Sequence, residues 1–170
     1  DGGVLEQLPI SVGEIVDQGQ IVAQFDKTNA EADYQEAKAQ VAALSAAMSR
    51  LTAELFGTVP DFSALANEFP HFIKSQKLLF DRRQSAKREE IANIGSILAL
   101  VQEEIQMNEP LLARGDVSKT EILRLQREEA ELVAQRGKIS NDYFQSTQAE
   151  YNETEEEFER VSQLLIQRKK

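Results

Sequence analysis

The sequence has no cysteine, no tryptophan, a single histidine, four prolines among 170 residues, and only 6% aromatic residues. Without cysteine there is no disulfide frame and no thiolate chemistry. That absence suits the periplasm and the cytosol equally. His71 stands alone, without cysteines or a second histidine at ligand spacing, which argues against a metal site. No run of about 18 apolar residues exists, so nothing in this stretch is expected to span a bilayer. Positive charge is also scarce: the net charge is −10, whereas phosphate recognition needs a concentrated basic face, so nucleic acid is excluded as a partner. The few aromatics argue against a thick globular core.

What is abundant is Ala, Glu, Gln, Leu and Arg, with 41% hydrophobic and 28% charged residues, a mixture that favours long helices. The hydrophobic residues are periodic, so the acidity reads as a soluble elongated surface and not as disorder. No signal-peptide pattern is seen within this stretch, which opens at Asp1-Gly2-Gly3 inside what reads as a strand and stops at Gln167-Arg168-Lys169-Lys170 without a cap. It is expected to be a segment of a longer protein.

Residues 1–27 differ in kind from the rest. Gly3 to Ile10 reads as a strand, Gly13 and Gly19 mark two turns, and Gln20 to Phe25 alternates polar and apolar residues. Two or three short strands bury no face by themselves, so this unit is expected to be completed by further chain.

From Thr28 the period becomes helical, with Thr28 or Asn29 as N-cap. Tyr34, Ala37, Val41, Leu44, Met48, Leu51 and Leu55 follow 3-4 spacing over 28–56, and Gly57 ends the helix. Residues 57–70, with Pro60 and Pro70, read as a connector with one short turn at 63–67. A second helix is predicted over 71–113, its seam running through Ile91, Ile94, Leu98, Val101, Ile105, Asn108 and Leu112. That seam falters at Gln84 and Lys87, where looser packing is expected, and Pro110 is expected to distort the last turns. Residues 114–117 form a tip turn. Ser118 and Glu121 make a capping box for a third helix over 118–170, with one seam at Leu125, Leu132 and Ile139 and another at Phe144, Tyr151, Phe158 and Leu165. The short turn makes the second and third helices antiparallel neighbours of roughly 60–75 Å. The first reaches only about 40 Å, so it is expected to lie beside the hairpin base, with 57–70 redirecting the chain. The fold class is therefore mainly α: a long antiparallel coiled-coil hairpin plus an extra helix, attached to an incomplete β unit.

Several motifs invite functional readings. Asp26-Lys27 matches the modified lysine of lipoyl and biotinyl carriers, but there the lysine sits at a hairpin tip, whereas Lys27 leads straight into a helix. Arg114-Gly115-Asp116 spells an adhesion tripeptide; its composition is that of a helix end and turn. The glutamates Glu150, Glu153, Glu155, Glu156, Glu157 and Glu159 point around several faces of one helix, the pattern of a solvated surface. Arg82, Arg83, Lys87 and Arg88 lie at a similar distance from the tip and are candidates to pair with them, within or between protomers, as exposed ion pairs worth at most ~1 kcal/mol each. No acid–base pair or nucleophile constellation stands out, so no catalytic residue and no cofactor is assigned.

The order of these parts resembles the haemolysin D-type membrane fusion (periplasmic adaptor) family, in which a helical hairpin is inserted between two halves of a lipoyl-like β domain. The resemblance rests on Gly13-Glu14-Ile15-Val16-Asp17-Gln18-Gly19 in the first half and covers essentially the whole chain. The second half would follow Lys170. At the tip, Leu111 and Ser118 match an Arg-x3-Leu-x6-Ser pattern that docks on a TolC-type channel, while Met107 stands at the Arg position, a departure. The stretch 109–118, the extra helix, the Pro- and Phe-containing connector and Leu79-Phe80-Asp81-Arg82-Arg83 resemble the type I secretion branch.

The resemblance implies a non-enzymatic periplasmic segment of an inner-membrane-anchored adaptor in a Gram-negative bacterium. It implies an ABC transporter, an outer-membrane channel and an exported protein substrate as partners, and self-association into a hexamer. Leu111, Arg114, Asp116 and Ser118 become the docking residues. Drug efflux by the same family and a free-standing coiled-coil scaffold are the alternatives; the glycine-punctuated β segment weighs against the scaffold.

Overall fold

A computed structural model describes residues 5–25 and 28–168, with the side chains of residues 25, 28 and 29 set aside. The N-cap expected at Thr28 or Asn29, the Asp26-Lys27 motif, the strand start at Gly3-Val4 and Lys169-Lys170 lie outside the described residues or side chains. The fold is mainly α. Strands β1 (Leu5–Gln7) and β2 (Gln24–Phe25) precede helix α1 (Thr28–Phe56), a 3-10 turn at Ser63–Leu65, helix α2 (Pro70–Arg114) and helix α3 (Lys119–Arg168).

The β unit is thinner than its sequence pattern. β1 and β2 pair antiparallel with Leu5 opposite Phe25 and Gln7 opposite Gln24, a register with one extra residue in β1. Pro9 has no N–H for a ladder, which limits β1 on one side. The intervening chain makes two turns, closed by Glu14 N–H to the Ser11 carbonyl (3.1 Å) and Gln20 N–H to the Asp17 carbonyl (3.0 Å). Gly13 and Gly19 both adopt left-handed φ in these turns, at 89° and 91°. With no second layer among the described residues, Leu8, Val12, Ile15 and Ile21 are exposed.

The three helices run at about 1.5 Å per residue, so α2 and α3 are rods of roughly 65–75 Å and α1 of about 45 Å. Their relative directions follow from the contacts. Arg168 donates to the Asp33 carbonyl at 2.9 Å, while Arg50 meets Glu150 and Glu54 meets Tyr143, so α1 is antiparallel to α3. Arg50 also meets Gln76 and Glu54 meets Arg83, so α1 is parallel to α2 and overlaps its first turns. α1 and α2 are therefore not one continuous rod.

The connector reverses the chain between α1 and α2. Gly57 takes φ 67° and the Thr58 N–H reaches the Ala53 carbonyl at 3.0 Å, a Schellman-type stop. The chain then runs back along α1: Ser49 Oγ donates to the Asp61 carbonyl, and Lys38 pairs with Glu68 at 2.6 Å. A cluster of Phe69, His71 and Phe72 opens α2, with His71 packed 4.0 Å from the Phe72 ring.

Several boundaries and seams differ from the sequence reading. α2 extends one residue beyond 71–113 at both ends, because Pro70 suits the first turn and the Gly115 cap leaves Arg114 helical. α3 starts at Lys119, with Ser118 outside it as the cap. α2 runs on through Pro110, which is exposed. The deepest face of α1 is built from Ala37, Ala42, Ala46 and Ala53 with Leu51, while Val41, Leu44, Met48 and Leu55 are only half-buried. Alanines permit closer helix approach, so they are sealed first. On α3, Phe144 is 52% exposed, and Thr147 and Val161 are buried instead. α3 faces two partners, α1 and α2, and a single heptad line does not describe both contacts.

Candidate functional site at the rod tip

The hairpin turn is closed by backbone geometry. Gly115 sits at φ 80° and donates to the Leu112 carbonyl at 3.0 Å, while Asp116 N–H donates to the Leu111 carbonyl at 3.0 Å. These two bonds are the paired contacts of a Schellman motif, and they require the left-handed conformation that glycine tolerates. On the far side, Ser118 Oγ accepts from the Glu121 N–H at 3.3 Å. The reciprocal half of the expected capping box is absent, because Arg124 takes the Glu121 carboxylate at 2.8 Å. That guanidinium holds the Glu121 carboxyl below its ordinary value.

The four side chains assigned by resemblance fall within this turn and its flanks. Leu111 is half-buried on α2; Arg114, Asp116 and Ser118 are exposed. Arg114 Nε lies 3.4 Å from the Asp116 carboxylate, a solvent-exposed pair across the turn. The tip thus offers one apolar side chain, one hydroxyl and one loosely paired charge couple. Met107, one helical turn below Leu111, is 59% exposed. Below the tip, the α2–α3 seam is aliphatic: Val101 and Ile105 pack with Leu125, Leu132 lies against them, and Ile94, Leu98 and Ile122 are buried on the same two helices.

Sequence reasoning missed a second constellation, at the level where α1 joins the hairpin. Arg50 is 1% exposed and Thr147 fully buried; the Glu54 side chain is sealed as well. Arg50 lies 2.7 Å from Glu54 and 2.5 Å from Glu150; Arg83 lies 3.1 Å from Glu54 and 2.6 Å from Glu150. Two guanidinium groups and two carboxylates thus form a closed four-charge ring drawn from all three helices. Gln76 accepts from Arg50 at 2.7 Å, Thr147 Oγ1 accepts from Arg83 at 3.3 Å, and the Tyr143 hydroxyl donates to Glu54 at 2.9 Å. Among the described residues no buried side-chain polar atom lacks a partner.

The electrostatics follow from this closure. Burial alone would raise the Glu150 carboxyl, but hydrogen bonds from Arg83 and Arg50 outweigh it and the group is held below its ordinary value. Tyr143 is pushed up to about 12, first by burial and then by its bond to the Glu54 carboxylate. Arg83 and Lys87 also flank its ring at 5.6 and 4.4 Å. The gap in the seam at Gln84 and Lys87 is therefore filled by polar packing around Tyr143, including Gln84 to its hydroxyl at 3.4 Å. The expected set of exposed pairs between the basic and acidic runs reduces to one partly buried contact, Arg83 to Glu150. Arg88 turns back to Gln84 and Ser85, and Glu157 pairs with Arg160 on its own helix. The signal available in the sequence was Arg50 and Glu54, four residues apart beside Leu51 on an otherwise apolar face.

Among the described residues no cluster of potential metal ligands occurs, and no helix is long and apolar enough to cross a membrane. No protein-family model matches the chain, and no curated protein matches it. Among solved structures, the soluble domain of LipC, a membrane fusion protein of a type I secretion system, is similar at 20% identity and a TM-score of 0.42, over 98% of this chain and 76% of that one.

Proposed function

We propose that this chain is the rod of a periplasmic adaptor, carrying a half lipoyl-like β unit (residues 1–27) at one end and a channel-docking tip at the other. In this reading the adaptor joins an inner-membrane ABC transporter to a TolC-type outer-membrane channel for type I protein export. Several copies, as a hexamer, enclose the path of the exported protein. The segment itself performs no chemistry; energy comes from the transporter.

The observation that carries the reading is the tip: a rigidly capped turn at the end of a long two-helix rod, presenting Leu111, Arg114, Asp116 and Ser118 together. A hairpin of that length is suited to reach a partner far from its base, and exposed loops on rigid elements are favoured places for recognition. The motif order around Gly13 and Gly19, followed by the extra helix and the hairpin, supports the type I branch.

Photo-crosslinking from positions 111, 114 and 118 in the full-length protein, in cells, tests it. Crosslinks to an outer-membrane channel that depend on the partner transporter are expected. Absence of crosslinks from exposed probes, with the protein present and assembled, would overturn tip docking and put a coiled-coil scaffold in its place.

A further inference from the structure

We propose that α1 and the connector after it form a clasp that opens from and closes onto the hairpin as one unit, with the four-charge ring as its catch. Three observations lead there. The hairpin has an aliphatic core of its own beyond the end of α1, where Val101, Ile105, Leu125 and Leu132 pack together, so it does not need α1 to stay paired. α1 meets the hairpin along a long face whose fully buried apolar residues are small alanines and Leu51, with Val41, Leu44, Met48 and Leu55 only half-buried beside the ring.

The third observation concerns how the ring divides. Cut between α1 and the hairpin, it separates into Arg50 with Glu54, four residues apart on α1, and Arg83 with Glu150, which bridge α2 and α3. Each half is electrically neutral and already paired. Arg83 also keeps Thr147, and Tyr143 keeps Gln84, inside the hairpin. Closing therefore buries the preformed Arg50–Glu54 pair against the partly exposed Arg83–Glu150 pair, and not four separate ions, which lowers the desolvation cost that normally burdens a buried charge cluster. The contacts of the ring and its neighbours made only on closing are Arg50 to Glu150 and Gln76, and Glu54 to Arg83 and Tyr143. They are directional, so the clasp closes in one register. This inference does not depend on what the tip docks to.

Native-state hydrogen exchange read by mass spectrometry on the whole chain tests it. α1 peptides within residues 30–56 are expected to exchange together and faster than hairpin peptides 94–105 and 122–132. Arg50→Met, which leaves Glu54 and Glu150 sharing one guanidinium, is expected to speed α1 exchange by about a hundredfold or more while leaving 94–105 unchanged. Arg50→Met combined with Glu54→Met removes one whole neutral half and is expected to cost less than about tenfold, because apolar replacement of a complete buried pair is well tolerated. Exchange of α1 and the distal hairpin in a single event would overturn the clasp. A double variant as severe as the single one would overturn the division of the ring into neutral halves.

Discussion

Between residues 94 and 132 the hairpin is zipped by aliphatic side chains, whereas at residues 50–54, 76–84 and 143–150 three helices meet around charge. The two regions share α2 and α3, so the difference lies in what surrounds them. A two-helix seam can exclude water only along a narrow stripe, and branched apolar side chains fill such a stripe well. Where α1 adds a third wall, the interior is deep enough for long side chains to reach across it. Arginine and glutamate then satisfy one another in a water-poor space. Apolar packing is non-directional, so it holds the distal helices together without strongly fixing their stagger. The ring fixes stagger, because its bonds exist in one alignment only.

The contrast can be broken by removing one member from each region. The largest effect is expected from Glu54→Ala, which leaves the buried Arg50 and the half-buried Arg83 against one carboxylate; the junction should lose about 3–5 kcal/mol. Amide exchange of residues 44–56 reads this, and a loss under about 1 kcal/mol would mean that the ring contributes no register. Leu125→Ala comes next, with a loss of about 2–3 kcal/mol in the distal seam, since the site is fully buried but flanked by a surface that can partly collapse. Exchange of residues 94–105 should respond while 44–56 does not.

The smallest effect is a titration at the junction. Tyr143 has its pKa raised above the ordinary 10.0 to about 12, so its contribution to stability is complete below pH 10 and is lost as pH rises toward 12. Phenolate absorbance should show a late component near pH 12 that disappears in Tyr143→Phe. Glu150 behaves oppositely: its carboxyl is depressed, so its contribution is present above the usual carboxylate value of 4.5 and fades as pH falls through the lower folded value. A Tyr143→Phe variant that keeps the late component would place it on another tyrosine and weaken the picture of a sealed junction.

Much of the fold was legible because heptad spacing is a local property. Ile94, Leu98, Val101 and Ile105 lie on one helical face whatever surrounds them, and the glycines at 57 and 115 end helices by their own backbone freedom. The tip turn was legible for the same reason. The α1 face was read less well: the larger residues at 41, 44, 48 and 55 drew the seam, yet alanines at 42, 46 and 53 are the ones sealed. Phe144 failed likewise, since hydrophobicity names a residue that can be buried but not the neighbour available to bury it.

The sequence by itself determined three long helices and the antiparallel hairpin, because periodicity, caps and a short turn act within a few residues. The sequence also put α1 beside the hairpin base, but only the tertiary structure decided its direction and stagger against α2 and α3, and with them which charges face one another. Arg50, Glu54, Arg83 and Glu150 span 100 positions from first to last, as the Arg50–Glu150 contact records. No local pattern links residues so far apart. Their pairing depends on the direction and stagger of three packed rods, and it is the low-dielectric space between those rods that seals Arg50 and Glu54 and leaves Arg83 and Glu150 partly buried beside them.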